Sequence, residues 1–98
     1  MSYNGWENRE TWLVALHIDN EFCLTDELNQ GAEVFLCDAD SDDDATESLS
    51  THIEELVRDL IDQQSPDISG LASDFLAQCL SEVNWREIAR GYIQEASA

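Results

Sequence analysis

A chain of 98 residues carrying 22 Asp and Glu against four Arg and no Lys has a formal net charge of −18. That charge excludes nucleic acid, anionic membrane and acidic substrates as partners by repulsion. Apolar residues make up 43% of the sequence, enough for one modest core over residues 1–98 and too many for a disordered polyanion.

Asn8-Arg9-Glu10-Thr11 reads as a helix start, with Asn8 as N-cap and Glu10 in the first turn. Trp12, Leu13 and Leu16 then follow a helical period that ends near Asp19-Asn20. A second helix is expected from Thr25 or Asp26, with Leu28, Ala32 and Phe35 on one face and Gly31 as its weak point. Residues 38–44, reading DADSDDD, are expected as an acidic loop. Leu49, Ile53, Leu56, Val57, Leu60 and Ile61 form the cleanest apolar stripe of the chain, a third helix stopped by Gln63-Gln64-Ser65-Pro66. A fourth helix from about Ser69 to Leu80 is expected to bury Leu71, Ala72, Phe75, Leu76, Cys79 and Leu80. In the fifth, Asn84 caps, Glu87 completes a capping box and Val83 staples against Ile88. Trp85, Ile88, Ala89, Tyr92 and Ile93 give that helix its buried face. No segment alternates long enough for a strand, and nothing repeats. The expected fold is all-α: a compact single-domain bundle of about four to five short helices.

No apolar run approaches the roughly 20 residues of a membrane span, and no basic-then-apolar leader opens the chain. A cytoplasmic protein is expected. Cys23, Cys37 and Cys79 are odd in number, lack C-x-x-C spacing and sit beside apolar residues, which predicts buried free thiols.

Catalytic and metal chemistry find no support in the residue spacing. His17 and His52 fit neither H-x-x-x-H nor H-E-x-x-H, no serine sits in a G-x-S-x-G elbow, and no cysteine–histidine pairing is visible. A calcium loop starting at Asp38 has Asp43 where glycine must turn the chain and Leu49 where a bidentate glutamate must close it. Starting at Asp40 puts Ala45 and Thr51 in those places. The chain is therefore expected to be no enzyme, with neither cofactor nor metal.

What remains is the distribution of charge. Residues 1–49 hold 13 acids and one Arg, a net −12, and residues 50–98 hold nine acids and three Arg, a net −6. The acids concentrate at Asp38, Asp40, Asp42, Asp43 and Asp44, and continue along the outer face of the third helix as Glu47, Glu54, Glu55, Asp59 and Asp62. Only Arg58 interrupts them, placed to pair with Glu54 one turn back. These ten carboxylates are the candidate partner-binding residues. A compact chain of this length spans roughly 33 Å, and about 31 Å of duplex DNA carries as much negative charge as this whole domain. The plainer readings are a solvated helix face or an acid-rich surface adapted to brine, which the absence of lysine also suits.

The segment Tyr3-Asn4-Gly5-Trp6-Glu7-Asn8-Arg9-Glu10-Thr11-Trp12, continuing through Leu13 to Asn20, resembles a family of small proteins found in phages, plasmids and microbial genomes. Its members open on N-G-W-x-N-x-E-T-W followed by a short apolar helix and N-[DE]-E. Glu82-Val83-Asn84-Trp85-Arg86-Glu87-Ile88-Ala89 is similar to that family's closing helix. The resemblance implies a mobile-element setting and names no activity. Physically, Asn4-Gly5 is a turn, Asn8 a cap, and Trp6 and Trp12 aromatic covers for the core.

In physical type the chain is also similar to the acidic DNA-mimic inhibitors used against restriction and CRISPR systems. The leading expectation is accordingly a non-enzymatic DNA mimic whose partner is a basic nucleic-acid-binding protein. The runner-up is a small helical adaptor that binds through apolar or aromatic surface. Oligomeric state is left open.

Overall fold

A computed structural model describes residues 5–64 and 70–97 and places five helices in them: α1 (Arg9–Asn20), α2 (Phe22–Asp38), α3 (Asp42–Gln64), α4 (Gly70–Glu82) and α5 (Trp85–Ser97). The fold is all-α. No helix among the described residues is long and apolar enough to cross a membrane.

Helix starts follow local hydrogen-bonding chemistry. Asn8 caps α1, its Oδ1 accepting the Thr11 N–H at 2.9 Å. Before it, Gly5 holds a φ of +91°, a left-handed turn that a side chain would strain; Asn4 of the expected turn lies outside the described residues. Ser41 Oγ accepts the Asp44 N–H at 3.2 Å and so opens α3. Asn84 caps α5, with Oδ1 accepting the Glu87 N–H at 3.0 Å.

The capping box expected here forms only by half. The Glu87 carboxylate turns to the Glu7 N–H at 3.0 Å, and the Asn84 N–H donates instead to Thr11 Oγ1 at 2.8 Å. Thr11 Oγ1 in turn donates to Asn8 Oδ1 at 2.7 Å, while Asn8 Nδ2 donates to the Glu82 carbonyl at 2.7 Å. The caps of α1 and α5 are thus one network joining the two ends of the chain.

That network changes which face of α1 is buried. Trp12, Leu13 and Leu16 are the expected core side; the helix buries Thr11, Ala15 and Ile18, with Trp12 half-buried. Leu13 and Leu16 remain 36% and 39% exposed. Turning Thr11 toward Asn84 brings small Ala15 inward and rotates the two leucines out.

Helix α2 begins at Phe22, three residues before the earliest expected start, because Glu21 alone serves as elbow. Its extended backbone ends α1 through a bond from its N–H to the Ile18 carbonyl, and its own carbonyl receives the Thr25 N–H. Thr25 Oγ1 donates to the Ile18 carbonyl at 2.8 Å and braces the corner. The helix continues through Gly31, where a Cβ would meet Leu49 Cδ1 at 3.6 Å, an ordinary contact.

Leu28 and Ala32 of α2, Ala45, Leu49 and Ile53 of α3, and Ile88, Ala89 and Ile93 of α5 form the centre of the core, with Ala15, Ile18 and Val83 completing it. Burying each large aliphatic side chain here contributes about 1.5–3 kcal/mol. The α3 stripe is fully buried only in its first half, since Leu56, Val57, Leu60 and Ile61 are half-buried. Trp6 and Trp85 pack against the core as partial covers.

Helix α4 departs furthest from expectation. Leu80 is its buried residue and Leu76 is half-buried, whereas Leu71, Ala72, Phe75 and Cys79 face out. Among the described residues α4 packs against α1 and no other helix, so one narrow stripe suffices to seat it. The cysteine expectation fails for related reasons: Cys23, Cys37 and Cys79 are free, as expected, but exposed.

One buried polar group is unsatisfied. The Tyr92 hydroxyl is buried and makes no hydrogen bond of ordinary geometry among the described residues, although the Thr25 and Asp19 side chains act on its ionisation. Burial, and secondarily the negative charge of Asp19, raise its pKa above the ordinary 10.0.

Two outcomes are expected from this geometry. Thr11→Val leaves the half-buried Asn84 N–H without its acceptor and should lower stability by about 1–2 kcal/mol, with Thr11→Ser retaining more of it; urea melts of both variants give the comparison. Tyr92→Phe should hold or raise stability, because it deletes an unsatisfied hydroxyl. In the parent, the raised Tyr92 pKa leaves stability undiminished below the unfolded value near 10 and lowers it as pH rises through the higher folded value. A phenol absorbance titration showing no tyrosine above the ordinary range would contradict this.

Candidate functional site

The ten candidate carboxylates do not form a loop cluster. Asp38 is the last residue of α2, Asp40 lies in the three-residue connection, and Asp42, Asp43 and Asp44 are already the first turn of α3. The expected acidic loop is therefore mostly helix. The reason is local: Ser41 supplies a cap, and aspartates are favoured in a first turn by the positive end of the helix dipole.

Glu47, Glu54, Glu55, Asp59 and Asp62 continue along α3. Nine of the ten candidates are exposed and Glu54 is half-buried. At 100° per residue, Asp43, Asp44, Glu47, Glu54, Glu55, Asp59 and Asp62 fall within about 160° of arc, opposite the buried Ala45, Leu49 and Ile53. The arrangement is a strip, not a cage. Among the described residues no three His, Cys, Asp or Glu side chains are grouped to hold a metal ion.

Two of the ten have cationic partners. Arg58 bonds Glu54, with Nη2 at 2.9 Å from Oε2, the pair expected one turn apart. Arg86 of α5 bonds Glu47 across 39 positions of sequence. Both pairs are exposed, so each is worth little to stability. The other eight carboxylates make no ion pair among the described residues. Asp59 and Asp62 also approach the C-terminal end of α3, where the dipole disfavours negative charge. Nothing in the fold calls for acids there.

The structure also widens the acidic region beyond what the sequence marked. An open cleft of about 510 Å³ runs beside α3, and its lining includes Glu47, Glu54, Glu7, Glu82, Trp85 and Arg86. Glu7 and Glu82 join α3 because the Asn8–Glu82 and Asn84–Glu7 hydrogen bonds draw the chain ends to it. Their only sequence signal was membership of the two motif segments, read as structural.

The histidines take structural positions. His52 meets Phe35 edge-on, with ring centroids 6.0 Å apart, and lies 3.8 Å from Glu27. His17 is exposed near the end of α1.

Unbalanced charge of this density makes stability depend on screening. The melting midpoint should rise between 10 and 150 mM salt, as the Debye length falls from about 30 to about 8 Å. Calorimetry across that range tests it. A flat or falling midpoint would remove repulsion as a significant term, and a need for molar salt would favour adaptation to brine over binding.

No curated protein and no solved structure matches the chain. The model of DUF7249, a family of unknown function, matches residues 1–97, and the chain belongs to that family.

Proposed function

We propose that the chain is a non-catalytic binding domain that occupies the basic nucleic-acid-binding surface of another protein, using its α2–α3 carboxylates in place of duplex phosphates. The observation that carries this reading is linear charge density. From Asp42 to Gln64, α3 runs about 35 Å and bears eight acids, seven of them on the outer arc, about one per 5 Å. One DNA strand presents a phosphate about every 3.4 Å of axis. The strip is outward-facing along its whole length and lightly paired.

Carboxylate oxygens accept bidentate arginine contacts as phosphate oxygens do. Carried on a helix, they need no ordering of the backbone when a partner docks, only of the side chains. Steering by the summed charge speeds association. That chemistry suits an inhibitor competing with DNA for a restriction or CRISPR enzyme.

Two sets of near-isosteric changes test the reading: Asp40, Asp42, Asp43 and Asp44 to Asn, and Glu54, Glu55, Asp59 and Asp62 to Gln or Asn. Each set should leave the fold intact and slow association with a captured DNA-binding partner by about tenfold or more at low salt. Duplex oligonucleotide should displace the parent protein from that partner. The idea fails if both neutralised proteins associate at the parental rate, or if the partner holds DNA and this protein together.

A further inference from the structure

The outward stripe of α4 is a second surface, chemically unlike the acidic strip. Leu71 and Phe75 are 73% and 63% exposed, and with Ala72 and Cys79, also exposed, they form one face at i, i+1, i+4 and i+8. Phe22 and Val34 on α2 are exposed as well, but at 12 positions' remove on that helix they make no stripe, and isolated apolar side chains on a surface are ordinary. A continuous apolar row on a charge-rich protein is not ordinary.

No described segment of the chain covers this row. The charges around it say what does. Helix α4 has no basic residue; Asp74 borders the stripe and Glu82 closes its C-terminal end. A second copy of the chain would bring −18 against −18 and set Asp74 and Glu82 against their own counterparts. An amphipathic helix with arginine or lysine beside its apolar face answers both features. Its aliphatic anchors lie on Leu71 and Phe75 at helical spacing, and its cations meet Asp74 and Glu82 in the field of the whole domain.

We infer that the α4 face, with Leu71 and Phe75 at its centre, is a docking site for a basic amphipathic helix of a partner protein. The site shares Glu82 with the cleft beside α3 but uses none of the acids on α3 itself. Either surface can prove functional without the other.

The test uses a fluorescent synthetic peptide of about 18 residues, long enough to support a helix, made of Leu, Ala and Lys with the leucines on one helical face. A shuffled peptide of the same composition, its leucines dispersed, is the control. The striped peptide should bind the full-length protein at least about tenfold more tightly, the difference one well-packed anchor supplies. Leu71→Gln with Phe75→Gln, which keeps good helix formers on exposed positions, should abolish that preference. Glu55→Gln, Asp59→Asn and Asp62→Asn together should weaken both peptides alike.

Bound striped peptide should also slow alkylation of Cys79 and leave Cys23 and Cys37 unchanged, a readout on the parent protein that needs no variant. Equal binding of the two peptides, a preference that survives the double Gln change, or unprotected Cys79 overturns the inference. So does sedimentation showing a dimer of the parent that the double Gln change dissociates, since a second copy would then be the occupant.

Discussion

The arrangement of this domain depends on one hydroxyl. Thr11 Oγ1 donates to Asn8 Oδ1 and accepts the Asn84 N–H, so the cap of the first helix and the cap of the last meet on a fully buried side chain. A threonine inside the first turn of a helix ordinarily has water or its own backbone as partner. Here it supplies the acceptor for a backbone N–H 73 positions away. The rotation of α1 and the outward turn of Leu13 and Leu16 accompany that bond, and the neighbouring Asn8–Glu82 and Asn84–Glu7 bonds bring Glu7 and Glu82 to α3. The N-terminal motif and the Asn84 segment therefore act as one structural device, and their polar residues are used in holding the chain's ends together.

Holding the ends this way lets a small core carry a large surface charge. The aliphatic centre is shared by α2, α3 and α5, with short side chains such as Ala32, Ala45 and Ala89 letting the helices approach. Hydrophobic burial is indifferent to the charge outside it, so the outer face of α3 is free to accumulate acids as long as their repulsion stays below the stability the core provides. The aspartates at the start of α3 are partly compensated by its dipole. Those near its end are not. A sequence optimised for folding alone would place lysine or arginine there, and the departure falls on the face that most resembles a nucleic-acid strand in charge spacing.

Features decided by neighbours in sequence were legible; features decided by packing partners were not. Asn8 and Asn84 declare themselves as caps because a cap needs only an acceptor and an N–H two or three residues on. The Glu54–Arg58 pair and the α3 stripe are local in the same way. Periodicity also shows correctly that Leu71, Phe75 and Cys79 share a face, but it cannot tell whether another element will cover that face. The same limit misplaced the cysteines, whose apolar neighbours in sequence are not their neighbours in space. The Glu87 carboxylate illustrates the contest most clearly. Its local target, the Asn84 N–H, is taken by Thr11, and it bonds Glu7 instead, a partner that no window of sequence contains. Among the candidate site residues, exposure was legible from the polar side of a helical wheel. The Arg86–Glu47 contact was not.

A helix that packs against one neighbour leaves its apolar row outside the core, where it adds nothing to the stability of the fold. Each large apolar side chain left in water forgoes about 1.5–3 kcal/mol of burial, and Leu71 and Phe75 together forgo most of two such contributions. Polar substitutes at both positions would cost the isolated domain nothing, because neither side chain contributes to the core. Their presence separates two demands that the fold meets on different helices. The strip on α3 presents charge, which acts at long range and is screened by salt. The row on α4 presents apolar surface, which acts only at contact and is largely indifferent to salt. A protein whose charge attracts every basic surface in reach gains selectivity from a second contact that only a helix of the right pattern can make, and this chain has the exposed surface for both.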